Sequence, residues 1–529
     1  MARRYPRTWA AFSALPDGEA ALGHILQIER SLAERAGRAG PRGSRRSPGL
    51  PRPEPREDRP LLASDQFDVV IAGGGLSLVY AATLAQAGLR VAVFDRREIG
   101  CGHREWNISR PELRPLSESG LFTPSQVEGL LLGQYRAGIC RFGSGPAHPV
   151  REVLDCVVDA GHLLSALRQQ AEAAGATLLS HHALVGYRVD GDGVRVVLSP
   201  AFGQAPRQLQ ARLFIDALGA QSPHAAFDLL CPTVGGVLDD LELGTAPDEL
   251  DPNLGEILIT TEGVEDGEQH IWEGFPAPHP KEDEAGSGPS RRMTIYLFYY
   301  QRRARLDERM AAGEQPLLAL YERFFATLPR YKRGALRLLR PTYGYIPGYT
   351  RLSPMPAAPS DRVFLVGDAA ARHSPLTFCG FGSMIRSFLP ISQGLLRALQ
   401  NDSLLRTHLA GLWQEPPALQ VMGGLTLMMM PPAALPRGQS PADPDAINRL
   451  LDTAFSVLAS FGQDAYAAFL QDRVDAATFT RFMFATAQRE PSVYRRAFAH
   501  LSPSEIAQWL RRFVQFRRTP ADTSSATAA

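Results

Sequence analysis

The stretch that decides the fold is QFDVVIAGGGLSLVYAATLAQAGLRVAVFD, which occupies residues 66–95. Its apolar run at 67–72 predicts a buried strand, and a turn of consecutive glycines follows. The next segment, 76–87, has a helix-forming composition and ends at Gly88, after which 91–94 predicts a second strand. A strand, a glycine-rich turn, a helix and a second strand in this order predict a βαβ unit.

The glycine turn and the acid that ends the second strand indicate an adenine-dinucleotide site. A glycine-rich turn lets the backbone approach a pyrophosphate, which then binds the N–H groups at the helix N-terminus. Asp95 follows Gly73 by about 20 residues, where a carboxylate accepts hydrogen bonds from the ribose hydroxyls. The third glycine position of the motif is Leu78, so we expect a slightly displaced helix. An ordinary βαβ turn that binds nothing is the alternative, but it does not explain three adjacent glycines.

The composition limits the class of protein. With 529 residues, 44% of them hydrophobic and 21% charged, the chain is typical of a globular protein of about two or three domains. The net charge of +1 gives no electrostatic reason to expect nucleic acid as a partner. Cysteines without metal-ligand spacing favour free thiols in a reducing, cytoplasmic compartment. The excess of Arg over Lys, with abundant Ala, Gly and Pro, indicates a GC-rich bacterial genome.

The N-terminal segment is predicted to be a helix followed by a linker. Residues 18–36 have a helical pattern, and 37–60 are rich in Arg and Pro with almost no large apolar residue. The second stretch predicts a disordered or polyproline linker, with a basic interaction arm as the alternative. We therefore expect the folded protein to begin near Ser64.

A polar cluster, REWNIS at 104–109, follows the second strand of the βαβ unit. This position returns the chain towards the cofactor, where Arg104 or Arg110 can pair with a pyrophosphate. Glu105 and Asn107 can face the reactive end of such a site. A capped structural loop is the alternative interpretation.

A helix and four strands are predicted downstream, and they lead to a second ligand-facing turn. Residues 157–175 have the apolar spacing of an amphipathic helix, and the strands are expected at 177–179, 184–189, 194–198 and 209–215. Asp216 and Gly219 end the last strand. An acid and a glycine turn at the carboxyl end of a strand face the ligand in an open α/β sheet.

The composition changes between residues 231 and 344. Aromatic-rich, strand-like runs at 256–261, 270–275 and 293–300 predict a mainly antiparallel sheet that lies over the cofactor, with a helical hairpin near 306–328. The aromatic side chains can line an apolar pocket or can simply form a core.

The stretch 362–389 distinguishes between dinucleotides. A buried strand at 363–366 ends on Gly367 and Asp368, and a turn at Gly380–Gly382 leads into another helix. Asp368 can accept hydrogen bonds from a ribityl chain, and the glycine turn can donate N–H groups to the O2/N1 edge of a flavin. This downstream turn favours FAD over NAD. His373 can touch the flavin ring or can be structural.

Beyond residue 400 the pattern is helical. The uncharged segment 416–436 contains Met428, Met429 and Met430, which suit a hydrophobic ligand, a membrane surface or buried packing. Its Pro and Gly residues exclude a spanning helix.

These features predict an α/β fold in which a Rossmann-like FAD-binding domain carries an inserted, mainly antiparallel β substrate domain and a helical C-terminal region. The expected boundaries are 1–63 for the helix and linker, 64–230 with 345–400 for the FAD-binding domain, 231–344 for the substrate domain, 401–517 for the helical region and 518–529 for the tail. The residues expected to bind the cofactor are Gly73, Gly74, Gly75, Leu76, Ser77, Asp95, Arg96, Arg104, Asp216, Gly219, Gly367, Asp368, Pro375, Gly380, Phe381 and Gly382.

Several motifs together carry a resemblance to a known family. Gly73-x-Gly75, IDALG at 215–219 and Gly367-Asp368 resemble the superfamily of FAD-dependent hydroxylases, geranylgeranyl reductases and lycopene cyclases. More narrowly, four stretches look like the lycopene cyclases of cyanobacteria and green sulfur bacteria. They are REWNIS at 104–109, IWEGFPA at 271–277, TIYLFYY at 294–300 and RHSPLTFCGFG at 372–382. The resemblance covers residues 65–430.

The resemblance implies a redox-neutral use of reduced FAD, with NAD(P)H as a candidate external reductant. An acid protonates the ψ-end of lycopene, a C40 carotenoid, at C2. The carbocation closes a ring, and loss of a proton gives a β-type ionone end. The implied setting is a hydrophobic substrate, with peripheral contact to a membrane as one option. Such a step needs an acid held protonated in an apolar site.

The source of that acid differs from the plant-type cyclases, whose Phe-Leu-Glu-Glu-Thr motif is absent. The corresponding strand is expected at the uncharged stretch 294–300. Glu105 and Glu273 are therefore the candidate acids, because each lies in an otherwise apolar or aromatic motif. Either of them can also be purely structural.

Two other functions remain open. The protein can be a true FAD-dependent oxidoreductase, either a monooxygenase or an isoprenoid reductase of the geranylgeranyl type. The Trp-x-Trp-x-Ile-Pro signature of flavin halogenases is absent. It can also be a non-catalytic flavin- or carotenoid-binding paralogue, which Leu78 in the glycine motif would favour.

Overall fold

The computed structural model describes residues 1–38, 65–102, 105–201, 205–225, 227–276, 290–352, 359–373, 376, 380–413, 417–431 and 443–518. The strands of these residues are β1 (Gln66–Ala72), β2 (Val91–Phe94), β3 (Glu105–Ile108), β4 (Leu131–Gln134), β5 (Ala137–Phe142), β6 (His148–Val150), β7 (Cys156–Asp159), β8 (Thr177–Leu179), β9 (His182–Val189), β10 (Val194–Pro200), β11 (Arg207–Asp216), β12 (Leu229–Leu241), β13 (Leu254–Thr260), β14 (Ile271–Pro276), β15 (Met293–Phe298), β16 (Gln301–Arg302), β17 (Gly334–Gly348) and β18 (Val363–Leu365). The α-helices are α1 (Pro6–Ser13), α2 (Gly18–Arg38), α3 (Leu78–Gln86), α4 (Arg114–Glu118), α5 (Pro124–Glu128), α6 (Ala160–Ala173), α7 (Arg303–Ala311), α8 (Pro316–Tyr331), α9 (Gly380–Gln400), α10 (Arg406–Gly411), α11 (Pro417–Leu425), α12 (Ala446–Ser460), α13 (Gln463–Leu470), α14 (Ala476–Arg489), α15 (Ser492–His500) and α16 (Pro503–Arg518).

The first sheet contains the predicted βαβ unit. In the described residues its order is β8-β2-β1-β11-β10-β9, and β18 pairs with the carboxyl half of β11. The pairs β8–β2, β2–β1, β1–β11 and β11–β18 are parallel, so these strands bring their carboxyl ends to one edge. Helices α3, α6 and α9 contribute to the core on one face of the sheet. The Rossmann-like arrangement is confirmed, and the edge where ligands bind in such sheets is formed by the turns after β1, β2, β11 and β18.

The second sheet is mainly antiparallel, as predicted. Its order in the described residues is β16-β12-β15-β14-β13-β5-β6, with β17 paired to β12, and only the pair β13–β5 of this path is parallel. Its outer face packs against α1, α2, α7 and α8, which include the predicted helical hairpin. Its inner face packs against the C-terminal helices at one end. Strands β5 and β6 join this sheet although they precede the segment 231–344.

A small sheet links the two larger ones. Its order is β3-β7-β4, and all pairs are antiparallel. Tyr135 and Val157, beside and within this sheet, pack with Phe275 and Tyr296 from the inner face of the second sheet. The small sheet therefore lies against the second sheet near the middle of β14 and β15.

The expectation that the folded protein begins near Ser64 is wrong. Tyr5, Phe12, Leu22 and Ile25 are buried against the outer face of the second sheet. The helix predicted at 18–36 is confirmed as α2, but its partner surface lies more than 200 residues further along the chain, which no local pattern reveals. Most of the Arg- and Pro-rich stretch lies outside the described residues.

The helical C-terminal region is confirmed. Leu427, Met429 and Met430 are buried in the core that the C-terminal helices form with the inner face of the second sheet, as the buried-packing interpretation expected. Across the described residues, no helix combines the length and apolar character needed to cross a membrane.

Candidate active site

The glycine turn after β1 is shaped by close contact with the turn after β11. Gly73 has a φ of +109°, and a Cβ there would lie 2.5 Å from the carbonyl oxygen of Ala217. Only glycine combines that φ with that approach. At Gly75, in contrast, an added Cβ would find no atom within 4 Å, so the turn is open on the side where a ligand would lie.

Residues just before the start of α3 hold this turn against the core. Ser77 is buried and donates its hydroxyl to the Gly73 carbonyl, and Leu76 packs partly against the core. Leu78, which occupies the third glycine position, is fully buried in the core between the sheet and its helices. Its side chain therefore does not fill the open side of the turn at Gly75.

The acid after β2 is held in place by the backbone. Asp95 accepts the Gly74 N–H at 2.8 Å through Oδ2 and the Arg97 N–H at 2.8 Å through Oδ1. The side chain remains partly exposed, and Arg96 beside it is exposed. A carboxylate oxygen has more than one acceptor site, so Asp95 can still accept from a ribose hydroxyl.

The expected ligand-facing role of Asp216 is wrong. This side chain is fully buried, and it accepts the Leu218 N–H at 3.0 Å and the Ser222 hydroxyl at 2.7 Å. Burial raises the pKa of Asp216 above its ordinary value. Asp216 therefore stabilises the turn after β11 and leaves Gly219 at the surface of the site.

The turn after β18 presents the second predicted acid of the cofactor site. Asp368 lies in a single 3₁₀ turn, Gly367–Ala370, and its carboxylate is 39% exposed. His373 Nδ1 lies 3.5 Å from Asp368 Oδ1, and burial holds the pKa of His373 below its ordinary value. A neutral, buried His373 next to this carboxylate suits the structural role that the sequence left open.

Two side chains that the sequence did not indicate hold this turn from the side. Tyr349 donates its hydroxyl to the carbonyl of Asp368, and Arg351 donates to the carbonyl of Ala371. Both follow β17, which pairs along the edge of the second sheet. The second sheet therefore fixes the position of Asp368.

The N-terminus of α9 lies beside the same turn. A Cβ added at Gly380 would lie 3.4 Å from the His373 ring, and one added at Gly382 would lie 2.6 Å from Glu112 Oε2. Buried Glu112 forms an ion pair with Arg386 of α9. The predicted cofactor residues Arg104 and Pro375 lie outside the described residues.

These contacts bring the predicted turns to one edge of the first sheet. Gly73 meets Ala217, the Cβ position of Gly219 lies 3.8 Å from Asp368 Oδ2, and His373 lies between Asp368 and Gly380. We call this set, with Asp95, the dinucleotide edge. It offers an open glycine turn, two helix N-termini and two partly exposed carboxylates, which are the groups that bind a pyrophosphate, a ribose and a ribityl chain.

Strand β3 connects the dinucleotide edge to the second sheet. Successive side chains of a strand point to opposite faces. Trp106 packs on Phe381 at the start of α9, with 4.9 Å between ring centroids. Its neighbour Asn107 faces the other way and donates from Nδ2 to Glu273 Oε1 of β14 at 2.6 Å. The two predicted motifs REWNIS and IWEGFPA are therefore in contact with each other. Strand β3 lies between this contact and the dinucleotide edge.

Glu273 is half-buried and lies in apolar and aromatic surroundings. It lies on the inner face of the second sheet, directly across from Tyr296 and two residues before Phe275 on the same face. Burial raises the pKa of Glu273 to about 7, and the hydrogen bond from Asn107 opposes that increase. The side chain therefore keeps its proton to a higher pH than an exposed glutamate does, and it lies in aromatic surroundings.

Glu105, the other candidate acid, lies in the same site but in a different state. It forms an ion pair with Arg340 of β17, and the Thr294 hydroxyl lies 3.4 Å from its Oε2. A guanidinium next to a carboxylate favours the ionised form. Within the described contacts, Glu105 is thus paired with a cation and Glu273 is not, and the choice between them as the acid stays a prediction. We call Glu105, Asn107 and Glu273 the acid site.

The comparison with known proteins indicates the fold and a distant relative. No family model matches the chain. A curated relative, the rifampicin monooxygenase of Streptomyces venezuelae, is 25% identical over 327 residues, which are 58% of this chain and 60% of the relative. The match therefore spans less than two thirds of the relative's length.

Solved structures with the same fold include several flavoproteins. The halogenase PltM has 16% sequence identity and a TM-score of 0.52, over 85% of this chain and 96% of that one. A geranylgeranyl bacteriochlorophyll reductase-like protein from Thermoplasma acidophilum has 16% identity and a TM-score of 0.51, over 83% of this chain and 100% of that one. A flavoprotein/dehydrogenase from Cytophaga hutchinsonii has 13% identity and a TM-score of 0.51, over 80% and 100% of the chains. The chain therefore shares the fold of these proteins.

Proposed function

We propose that the protein binds FAD at the dinucleotide edge and closes a β-type ring at the ψ-end of lycopene or a related linear carotenoid, with Glu273 as the proton donor. The observation that carries the proposal is the state of Glu273. Glu273 is the carboxyl group of the acid site whose pKa lies near 7. It accepts a hydrogen bond from the amide of Asn107, whereas Glu105 is paired with a guanidinium. Protonation of an alkene needs an acid that keeps its proton in an apolar site.

Each residue of the site has a separate role in the proposed reaction. Asn107 orients Glu273 by donating to one oxygen, which leaves the other oxygen to carry the proton towards the substrate. Tyr296 and Phe275 supply aromatic faces beside it, and such faces attract a cation. Reduced FAD, when bound, would supply negative charge near the developing carbocation. The dinucleotide edge fits this cofactor because Gly75 leaves open space and Asp368 presents an exposed carboxylate.

Cofactor binding is tested at Gly75. We expect Gly75→Val to lower the FAD content of the purified protein strongly, because the added side chain enters the open side of the turn. Gly191→Val is the matched control, since an added Cβ there also meets no atom within 4 Å but lies in the hairpin loop between β9 and β10. Equal FAD content in both variants would contradict FAD binding at the dinucleotide edge.

The activity is tested by expression in lycopene-accumulating bacteria, followed by chromatography of the pigments. We expect a cyclised isomer of lycopene from the wild type. Unchanged lycopene from a protein that holds reducible FAD would contradict the cyclase and favour a non-catalytic paralogue.

A second candidate function is an FAD-dependent oxidoreductase that acts on a hydrophobic substrate. The sequence similarity to a rifampicin monooxygenase favours it. In the same assay, an oxygenated or saturated pigment would support this function, and an isomer of lycopene would exclude it for that substrate.

A further inference from the structure

A buried carboxylate lies against the first turn of α9, the helix start at which we expect the flavin ring. Glu112, in the single 3₁₀ turn Arg110–Leu113, is only 5% exposed. A Cβ added at Gly382 would lie 2.6 Å from Glu112 Oε2 and 2.8 Å from Oε1, so both oxygens lie beside the Gly382 backbone. The missing side chain of Gly382 therefore makes room for this carboxylate.

Several hydrogen bonds hold Glu112 in this place. Its Oε2 accepts the Ser109 N–H at 3.1 Å. Ser109 is fully buried, and its hydroxyl accepts from the Leu154 N–H at 3.2 Å and from Gln471 Nε2 at 2.9 Å. The carboxylate therefore belongs to a junction at which the small sheet, α9 and the end of α13 meet.

The charge of this carboxylate opposes the role that we expect of α9. The N–H groups of a helix N-terminus carry a partial positive charge, which stabilises an anion such as the O2/N1 edge of a reduced flavin. A carboxylate beside the first turn would repel that anion and would weaken the attraction of the helix. Glu112 alone would therefore disfavour the reduced cofactor on which the proposed reaction depends.

Arg386 supplies the opposite charge. It lies one turn beyond Gly382 on α9, forms an ion pair with Glu112, and has its Nη2 3.4 Å from the Gln471 carbonyl oxygen. Burial lowers the pKa of Arg386 to about 10, which leaves the guanidinium charged at neutral pH. The neighbouring charges of Asp472 and Arg473 act on Arg386 with opposite signs. The pair of Glu112 and Arg386 is therefore neutral as a unit.

We propose that Arg386 cancels the charge of Glu112 and thereby sets the reduction potential of the FAD that binds at the dinucleotide edge. Glu112 then contributes its shape and hydrogen bonds, which position the first turn of α9. Arg386 leaves the positive end of the helix available to the reduced flavin. Both are positioning residues, because they act through α9. The inference rests on the FAD binding in the proposed function and does not depend on ring closure.

The test is the reduction potential of FAD in the full-length protein, measured by spectroscopic titration at pH 8 to keep an unpaired Glu112 ionised. Arg386→Met leaves Glu112 without its cation. The equilibrium should therefore move about tenfold or more towards oxidised FAD, and tenfold is about 30 mV to lower potential for a two-electron couple. Glu112→Gln leaves the guanidinium without its anion and should move the potential by a similar amount in the opposite direction.

Three further variants separate charge from structure. The double variant Glu112→Gln/Arg386→Met removes both charges and should return the potential to that of the wild type. Arg386→Lys keeps the charge and should also keep the potential. Glu118→Gln, at the exposed end of α4, is the matched control and should leave the potential unchanged. If Arg386→Met holds no FAD, the upward shift in Glu112→Gln decides.

The outcomes separate this inference from the proposed function. Shifts of the same sign in both single variants, or an unchanged potential in Glu112→Gln with FAD retained, would overturn the role of the pair. A wild type that holds no FAD would overturn both proposals. A wild type that holds FAD and forms no cyclised product, while the two single variants shift in opposite directions, would overturn the cyclase alone.

Discussion

Each face of the second sheet carries a glutamate: Glu256 is buried on the outer face and Glu273 is half-buried on the inner face. Glu256 of β13 pairs in register with Gly274, the residue next to Glu273, so the two side chains leave the sheet on opposite faces. On the outer face, Glu256 accepts from Lys332 Nζ at 2.8 Å and from the Tyr331 hydroxyl. On the inner face, Glu273 receives only an amide hydrogen bond in the described contacts.

The difference shows how strongly its partners influence what a carboxyl group in an apolar sheet does. Lys332 is 1% exposed and also donates to the carbonyl of Glu249 at 2.8 Å, so the outer-face pair is closed and structural. The inner-face carboxyl keeps its proton to a higher pH than usual and faces aromatic side chains, which are the conditions that the proposed acid catalysis needs.

The largest expected effect is on the inner face. Glu273→Gln should lower cyclisation by about 100-fold or more with FAD content unchanged, because the amide has the shape of the acid but no proton to give. The measurement is the pigment yield per bound FAD. Glu172→Gln, on the exposed side of α6, is the matched control and should keep full activity. Full activity in Glu273→Gln would remove it as the donor.

The corresponding change on the outer face should affect stability. Lys332→Met leaves Glu256 buried without its cation and should lower the free energy of unfolding by about 3–5 kcal/mol. Urea unfolding measures the loss. The double variant Glu256→Gln/Lys332→Met should regain most of it, because no charge is then left unpaired. A loss below about 1 kcal/mol in the single variant would contradict a structural ion pair.

The free energy of unfolding at a series of pH values tests the raised pKa of Glu273. The pKa of Glu273 rises from 4.5 to about 7 on folding, so between these values the unfolded chain releases a proton that the folded protein keeps. The free energy of unfolding of the wild type, relative to Glu273→Gln, should therefore fall as pH rises from about 4.5 to about 7 and should be constant above that, a change on the order of a few kcal/mol.

The cyclisation activity should also depend on the protonation of Glu273. Cyclisation should fall as pH rises through about 7, since only the protonated form of Glu273 donates. A stability difference that does not change with pH, together with activity that does not decline above pH 7, would contradict the raised pKa.

The smallest expected effect is at Asn107. Its hydrogen bond lowers the pKa of Glu273, so Asn107→Ala should raise that pKa and move the alkaline limb of the activity profile to higher pH. Asn107→Asp would instead place a second carboxyl group beside Glu273. An unchanged activity profile in Asn107→Ala would show that the amide does not act on Glu273, and a shift to lower pH would contradict the direction of its effect.

Local patterns predicted the turns that meet at the dinucleotide edge, and the binding of a cofactor by their residues stays a prediction. The turn at Gly73, the acid Asp95 and the turn at Gly367 and Asp368 each depend on short stretches in which residue type and conformation are tightly linked. Asp216 was misjudged because its partner Ser222, although close in sequence, is a small polar residue with no distinctive pattern. Tyr349 and Arg351, which hold the turn of Asp368, follow a strand that the sequence did not reveal.

The features that sequence patterns did not predict depend on contacts between distant segments of the chain. The sequence left Glu105 and Glu273 equal, and the contact that separates them joins Glu105 to Arg340, 235 positions away. Strand β12 was missed because LLCPTVGGVLDDL contains Pro232, Gly235 and Gly236, which local propensity assigns to turns. Its pairing with β15 and β17 on either side overrides that propensity.

The most direct test of Glu273 as a proton donor for ring closure is the reaction of the FAD-loaded protein with lycopene in D₂O, analysed by mass spectrometry. An exchangeable acid that protonates C2 should leave one deuterium on carbon for each ring closed, in a product that is otherwise an isomer of lycopene. Glu273→Gln should give no labelled product. A product from the wild type that has gained oxygen or hydrogen pairs, or a cyclised product without deuterium, would contradict the account.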